Sequence, residues 1–326
     1  MNKRTCLRLC LALGLLSTSA AFAQSQGVLT MVVPYPAGGA SDVFARSISP
    51  ELGRQLNRTI VIENISGASG SIAANKVLGA RTGGEMLFMA SPTEVILAPA
   101  VLKAVKYKAE DFKLLGLIDK APLTLFVRAS LPVNTIDELV AYAKQPGAKP
   151  LTYGTTGPGS VYHLATEGMR RAAGLEMTHV PYRGGAPLLQ DLIAGNIDMT
   201  LLPASGTISG MAETGKIRAI AVAGNSRSLR FPKVATIRES KALPDFTAPD
   251  MWAGVMVPAT TPQPLQDQLH AALARTLALP ELRTAVEAVS AAPVPAGLSL
   301  PQAAAFYQAQ SDALRAAAKA ANVDPN

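Results

Sequence analysis

A chain of 326 residues, 48% apolar and 16% charged, has a globular composition with room for about two domains, which excludes an intrinsically disordered protein. The formal charge is +7, but Lys3, Arg4 and Arg8 fall in the first 23 residues, which hold no acid, so the remainder carries +4. With no basic run interleaved with aromatics, that mild excess offers no footprint for nucleic acid.

The first 23 residues read as a cleavable export signal. Lys3 and Arg4 make a basic start, residues 9–16 are apolar but too short to span a bilayer, and Ala21-Phe22-Ala23 is the small-x-small pattern that places cleavage after Ala23. Both cysteines, Cys6 and Cys10, leave with this segment, so no thiol remains for a disulfide, a metal site or a nucleophile.

Downstream, short strand-like runs alternate with helical stretches. Leu29–Pro34, Thr59–Asn64 and Glu85–Ser91 are apolar or β-branched runs, separated by helices near 41–56 and 71–79. A second set follows residue 125: helix 136–144, strand 150–153, helix 161–173, strand 177–181, helix 186–194, strand 197–202, a short helix near 206–214 and strand 217–223. The last hundred or so residues give a strand at Trp252–Val257 and alanine-rich helices over 264–278, 280–289 and 301–321. Such alternation predicts an α/β fold of βαβ units on mostly parallel sheets. No Pro/Gly/Ser-rich tether separates two halves, so the chain is expected to cross between lobes on ordered strands, at Leu123–Val127 and Ile220–Gly224. One lobe then comprises 24–124 and 224–326 and the other 125–223.

Two glycine-rich turns carry the chemistry. The first, Pro34–Asp42 (PYPAGGASD), follows a strand and opens a helix whose first N–H groups have no internal partner. Ser41 suits its N-cap and Asp42 its first turn, so a well-capped connection without a ligand also fits. The second, Tyr153–Ser160 (YGTTGPGS), is also strand-to-helix. Together the two turns offer backbone N–H groups and the hydroxyls of Ser41, Thr155, Thr156 and Ser160 to a carboxylate held between lobes. Neither is a dinucleotide or P-loop motif. A third cluster, Ser66–Ser71, reads as mainly a tight turn and cap. Catalytic patterns are thin. The histidines are His163, His179 and His270, no G-x-S-x-G elbow exists, and His163 with Glu167 makes only two candidate ligands on one helix face.

The strings VVPYPAGGASD, YGTTGPGSVYHLA and HVPYRGGAPLLQDLIAGNID occur in one exported chain. Together they resemble the solute receptors of the tripartite tricarboxylate transporters, also called Bug (Bordetella uptake gene) receptors. The resemblance implies a two-lobed periplasmic-binding-protein fold (type II-like), with two mixed or parallel sheets flanked by helices and two inter-lobe crossovers. It implies a periplasmic receptor that takes a small mono-, di- or tricarboxylate, plain or aromatic, and hands it to large and small membrane permease subunits. A monomer is expected, with no cofactor, no metal, no catalytic residue and no nucleic acid. The site residues it implies are Tyr35, Pro36, Gly38, Gly39, Ala40, Ser41 and Asp42 in the first loop. From the second loop come Thr155, Thr156, Gly157, Gly159, Ser160 and His163, with Ser91, Thr93, Tyr182 and Arg183 beyond. A bulky residue at Gly38 or Gly157 is expected to weaken binding more than loss of any one charge.

Two departures stand out. Arg81–Glu85 replaces the PDGYT-type approach to the third strand, and Leu202 stands where many relatives carry an acid, which speaks against an amino acid ligand. The alternatives are a receptor serving a membrane sensor and a secreted hydrolase using Ser160 and His163.

Overall fold

The computed structural model describes residues 27–80, 86–290, 292, 294, 295 and 297–320; the expected export signal and the Arg81–Glu85 departure lie outside them. The elements begin with β1 (Leu29–Val33), α1 (Ala40–Leu56), β2 (Ile60–Asn64), α2 (Ser71–Gly79) and β3 (Met86–Ala90). A π-helical turn at Thr93–Leu97 then runs into α3 (Ala98–Val101), followed by β4 (Phe112–Ala121), β5 (Leu123–Arg128), α4 (Ile136–Ala143) and β6 (Leu151–Thr155). Next come α5 (Val161–Ala173), β7 (Met177–Pro181), α6 (Gly185–Ala194), β8 (Met199–Pro203), α7 (Gly206–Glu213) and β9 (Ile217–Val222). The chain closes with β10 (Met251–Pro258), α8 (Gln263–Ala278), α9 (Pro280–Val289) and α10 (Leu300–Ala320).

These strands make two five-stranded sheets, ordered β2-β1-β3-β10-β4 and β7-β6-β8-β5-β9. Both are mixed. In the first, β1 runs parallel to β2 and β3, while β10 lies antiparallel between β3 and β4. In the second, β6 runs parallel to β7 and β8, while β5 lies antiparallel between β8 and β9. Helices cover both faces of the first sheet, which is why β1 reads as LTMVV, an apolar run interrupted only by the half-buried Thr30. The alternation of the sequence does not predict β4. Its residues FKLLGLIDKA are buried almost throughout and show no period of two, so their pattern does not announce a strand.

The chain passes between the sheets twice, at Pro122 between β4 and β5, and beyond β9 at Ala223–Gly224 on the way to β10. Of the expected crossing segments, Leu123–Val127 is instead a paired strand inside the second sheet, just past the Pro122 passage, while Ile220–Gly224 is a paired strand as far as Val222 and carries the second passage at Ala223–Gly224. The two passages lie against each other: the Ala223 N–H donates to the Leu123 carbonyl at 2.8 Å, and a Cβ on Gly224 would stand 2.7 Å from Pro122 Cβ. One apolar core fills the space between the first sheet, α1 and α8. The other covers the opposite face and continues through the crossing into the second sheet. On that face Trp252 packs edge-on against Phe306 and Tyr307 of α10.

Candidate functional site

Between the lobes lies a pocket of about 460 Å³ whose walls include Tyr35, Gly67–Ser71, Leu102, Val105, Thr156–Pro158 and Pro181–Arg183. Five of the sequence-predicted residues reach it: Tyr35, Thr156, Gly157, Tyr182 and Arg183. Thr156 is only 9% exposed, and its hydroxyl has no hydrogen-bond partner. A buried polar atom without a partner is costly, so this hydroxyl is ready to meet a ligand oxygen.

The first loop is organised by Asp42. Its buried carboxylate accepts from the Gly38 N–H (2.8 Å), from Arg46 and from Asn64. Burial alone would raise its pKa, but these donors outweigh burial and hold it below the usual carboxylate value. Asp42 is therefore occupied inside its own loop. The N-cap is not Ser41, as expected, but Gly39, and Ser41 follows Ala40 as the second residue of α1. Because no side chain caps this helix, its first N–H groups keep their capacity for an outside acceptor. Gly38, Gly39, Ala40 and Ser41 nevertheless stand outside the pocket wall, and Pro36 packs against Gly184 of the other lobe. Gly38 has a left-handed φ of +83, but nothing lies within 4 Å of where its Cβ would be, so it serves the turn and not a close approach.

The second loop is held from behind and pressed from in front. Behind it, Thr155 bonds His179 Nε2 (2.7 Å), the Gly159 N–H donates to His163 Nδ1 (3.2 Å), and the rings of Tyr153, His179 and His163 stack. Burial, then the neighbouring His163, pushes His179 down to about 4, so the stack is neutral near pH 7. Tyr153 in turn donates to Glu167, which is paired with Arg170. In front, the loop meets the other lobe. Ser69 Oγ donates to the Pro158 carbonyl (2.7 Å), and the Val161 N–H donates to Thr93 Oγ1 (3.2 Å). Gly157 and Gly159 both adopt left-handed backbone, and added Cβ atoms would lie 2.9 Å from Ser69 Oγ and 2.1 Å from Val101 Cγ2. Ser160 is the N-cap of α5, its hydroxyl accepting the His163 N–H at 3.2 Å. The imidazole of His163 faces Gly159 instead, so the two do not form the nucleophile and base of a hydrolase.

Three groups were missed. The cluster at Gly67–Ser71, expected to be mainly a turn and cap, forms a pocket wall, and Ala68 and Ser69 hold left-handed backbone there (φ 45 and 52). His179 positions Thr155. Glu94, between the predicted Ser91 and Thr93 and the core, is wholly buried; it accepts from Tyr35 (3.1 Å), the Ser91 hydroxyl (2.8 Å) and the Ser91 N–H. An acid set inside the apolar stretch around VILA was the signal that could have found it. Leu202 is a buried residue of β8, paired with Thr124 of β5. Among the described residues no cluster of side chains suits a metal, and no helix is long and apolar enough to cross a membrane.

Two mixed sheets joined by paired crossings around a cleft define a two-lobed solute-binding protein. Residues 44–322 match the model of the tripartite tricarboxylate transporter family receptor, and the chain belongs to that family. It is 34% identical to a UPF0065 protein of Bordetella bronchiseptica over 80% of this chain and 78% of that one. Its fold is similar to that of Rpa4515 of R. palustris, solved with adipate (TM-score 0.84, 30% identity, 93% of this chain and 100% of that one). It is also similar to MatC of Rhodopseudomonas palustris, solved with malate (TM-score 0.81, 28% identity, 89% of this chain and 98% of that one). Family and fold are those of solute-binding receptors.

Proposed function

We propose that this protein is a periplasmic receptor that captures a small carboxylate between the lobe built on the first sheet and the lobe built on the second, whose boundary falls at Pro122 instead of the expected residue 124, and delivers it to permease subunits in the membrane. The observation that carries the reading is the unpartnered hydroxyl of Thr156, buried in an inter-lobe pocket whose walls include Tyr35 and Ser69 of one lobe and Gly157 and Tyr182 of the other. Hydroxyl and backbone N–H donors suit an oxyanion without needing a dedicated cation. Family membership and the acid ligands of the two similar structures support the same reading. Lobe closure about the Pro122 and Gly224 passages sequesters the ligand, and no covalent step is required.

Thermal unfolding of the chain lacking residues 1–23, with a panel of mono-, di- and tricarboxylates, tests this. A ligand present at about a hundred times its Kd stabilises by about 2.7 kcal/mol, a rise of several degrees in Tm for a chain of this size. A panel in which no acid moves the Tm would remove the carboxylate assignment.

A further inference from the structure

Directly behind the pocket wall sits a carboxylate that no cation neutralises. Glu94 is 0% exposed, and the donors it accepts from, Tyr35 and Ser91, are neutral. Among the described residues no lysine, arginine or histidine forms an ion pair with it. The titratable groups that face it come from four places: Tyr35 of the first loop, Tyr107 beyond α3, Tyr162 of α5 in the other lobe, and Tyr307 of α10. Burial pushes all four hydroxyls up, so they stay neutral near pH 7. Little separates Glu94 from the pocket. Tyr35 and Gly70 both line it and both touch Glu94, the first through its hydroxyl and the second so closely that a Cβ would stand 2.7 Å from Glu94 Cβ. The cation among the lining residues is Arg183, which is exposed to solvent, while Leu102, Val105, Pro158 and Pro181 give the pocket apolar walls.

We propose that Glu94 sets the charge of the acid this cleft accepts, favouring one with a single carboxylate and an apolar body over one with two or three. The proposal rests on the carboxylate reading above. One carboxylate can be met by hydroxyl and N–H donors, but each further charge adds repulsion from a buried neighbour that solvent and salt screen poorly. A second carboxylate also finds only a solvated arginine to offset it, and gives up the apolar contact that a hydrocarbon end would make. Burial raises Glu94 to about 7, so its charge also varies near neutral pH.

Hexanoate and adipate have the same chain length and differ by one carboxylate, so titration calorimetry with the pair isolates the charge. At about pH 8 the wild-type protein is expected to bind hexanoate roughly tenfold or more tightly than adipate, and Glu94→Gln to narrow that ratio by a similar factor through gained adipate affinity. Glutamine keeps the shape, its oxygen can accept the Ser91 N–H, and the hydroxyls of Tyr35 and Ser91 can turn to suit its amide. The same narrowing is expected in the wild type on lowering the pH to about 6.5, a measurement that needs no variant. A wild-type protein that binds adipate as tightly as hexanoate overturns the proposal. So does a ratio unchanged both in the variant and at the lower pH. A folded protein that binds neither of them nor any other acid fails the carboxylate reading itself, and this inference with it.

Discussion

At Gly159 the geometry allows no side chain. Its φ of +72 costs an L residue about 1 kcal/mol, a loss felt in open and closed forms alike, whereas the 2.1 Å approach to Val101 Cγ2 exists only where the lobes meet. Gly159→Ala is therefore expected to lower Tm by only a few degrees while weakening ligand binding at least tenfold. Calorimetry and a melting curve on the same sample separate the two effects, and an unchanged Kd would mean that the bound form does not close on Val101. His179 gives a second residue-scale expectation. Its folded pKa of about 4 lies below the unfolded value near 6.5, so the unfolded chain binds more protons between the two, and stability is lost as pH falls through that window. His179→Gln should flatten the dependence of Tm on pH between about 4 and 6.5, whereas a slope identical to wild type would show that the stack does not hold His179 neutral.

Among the elements, the seam between the start of α5 and the π-helical turn at Thr93–Leu97 is the part most exposed to test. Thr93→Val keeps the shape but leaves the Val161 N–H without its acceptor whenever the lobes close. Leaving a buried donor unpaired costs about 1–3 kcal/mol, so affinity should fall by roughly tenfold. Small-angle scattering should then show a larger radius for the variant at a ligand concentration that closes the wild type; equal radii and equal affinities would count against the seam. This is also the scale at which the sequence was most and least readable. Helices such as α8 and α9 declare themselves through periodic apolar positions. The strands β1 and β2 are short β-branched runs next to glycine turns. β4 is covered on both faces and has no period to read, and the π-helical turn depends on tertiary packing of Glu94 that spacing does not encode. The two glycine loops were legible because glycine at a strand-to-helix turn is a local signal. The Gly67–Ser71 wall was not, since its part in the pocket depends on which loop the other lobe brings opposite it. Asp42, read as a ligand contact, turned inward because Gly38, Arg46 and Asn64 together satisfy it.

For the molecule as a whole, closure is expected to move two rigid bodies about the Pro122 and Gly224 passages. Trp252, the only tryptophan of the chain, is 0% exposed and packs on α10, and it is not among the residues lining the cleft. Its emission should be that of a buried indole and should stay put on ligand addition, then shift to the red on unfolding. A ligand-induced shift would show that α10 repacks during closure and that the lobes are not rigid.

The place of β10 has a consequence for the order in which the chain can fold. In a chain that emerges amino end first, every strand of the second sheet is present once Val222 is out, and that sheet can form without waiting for anything later. The first sheet cannot. β3 and β4 appear early, but the strand that belongs between them ends at Pro258, so both keep an unpaired edge through the synthesis of more than a hundred further residues. The lobe that begins first is completed last, and until β10 arrives its open edges are the part of the molecule most in need of shelter from neighbouring chains.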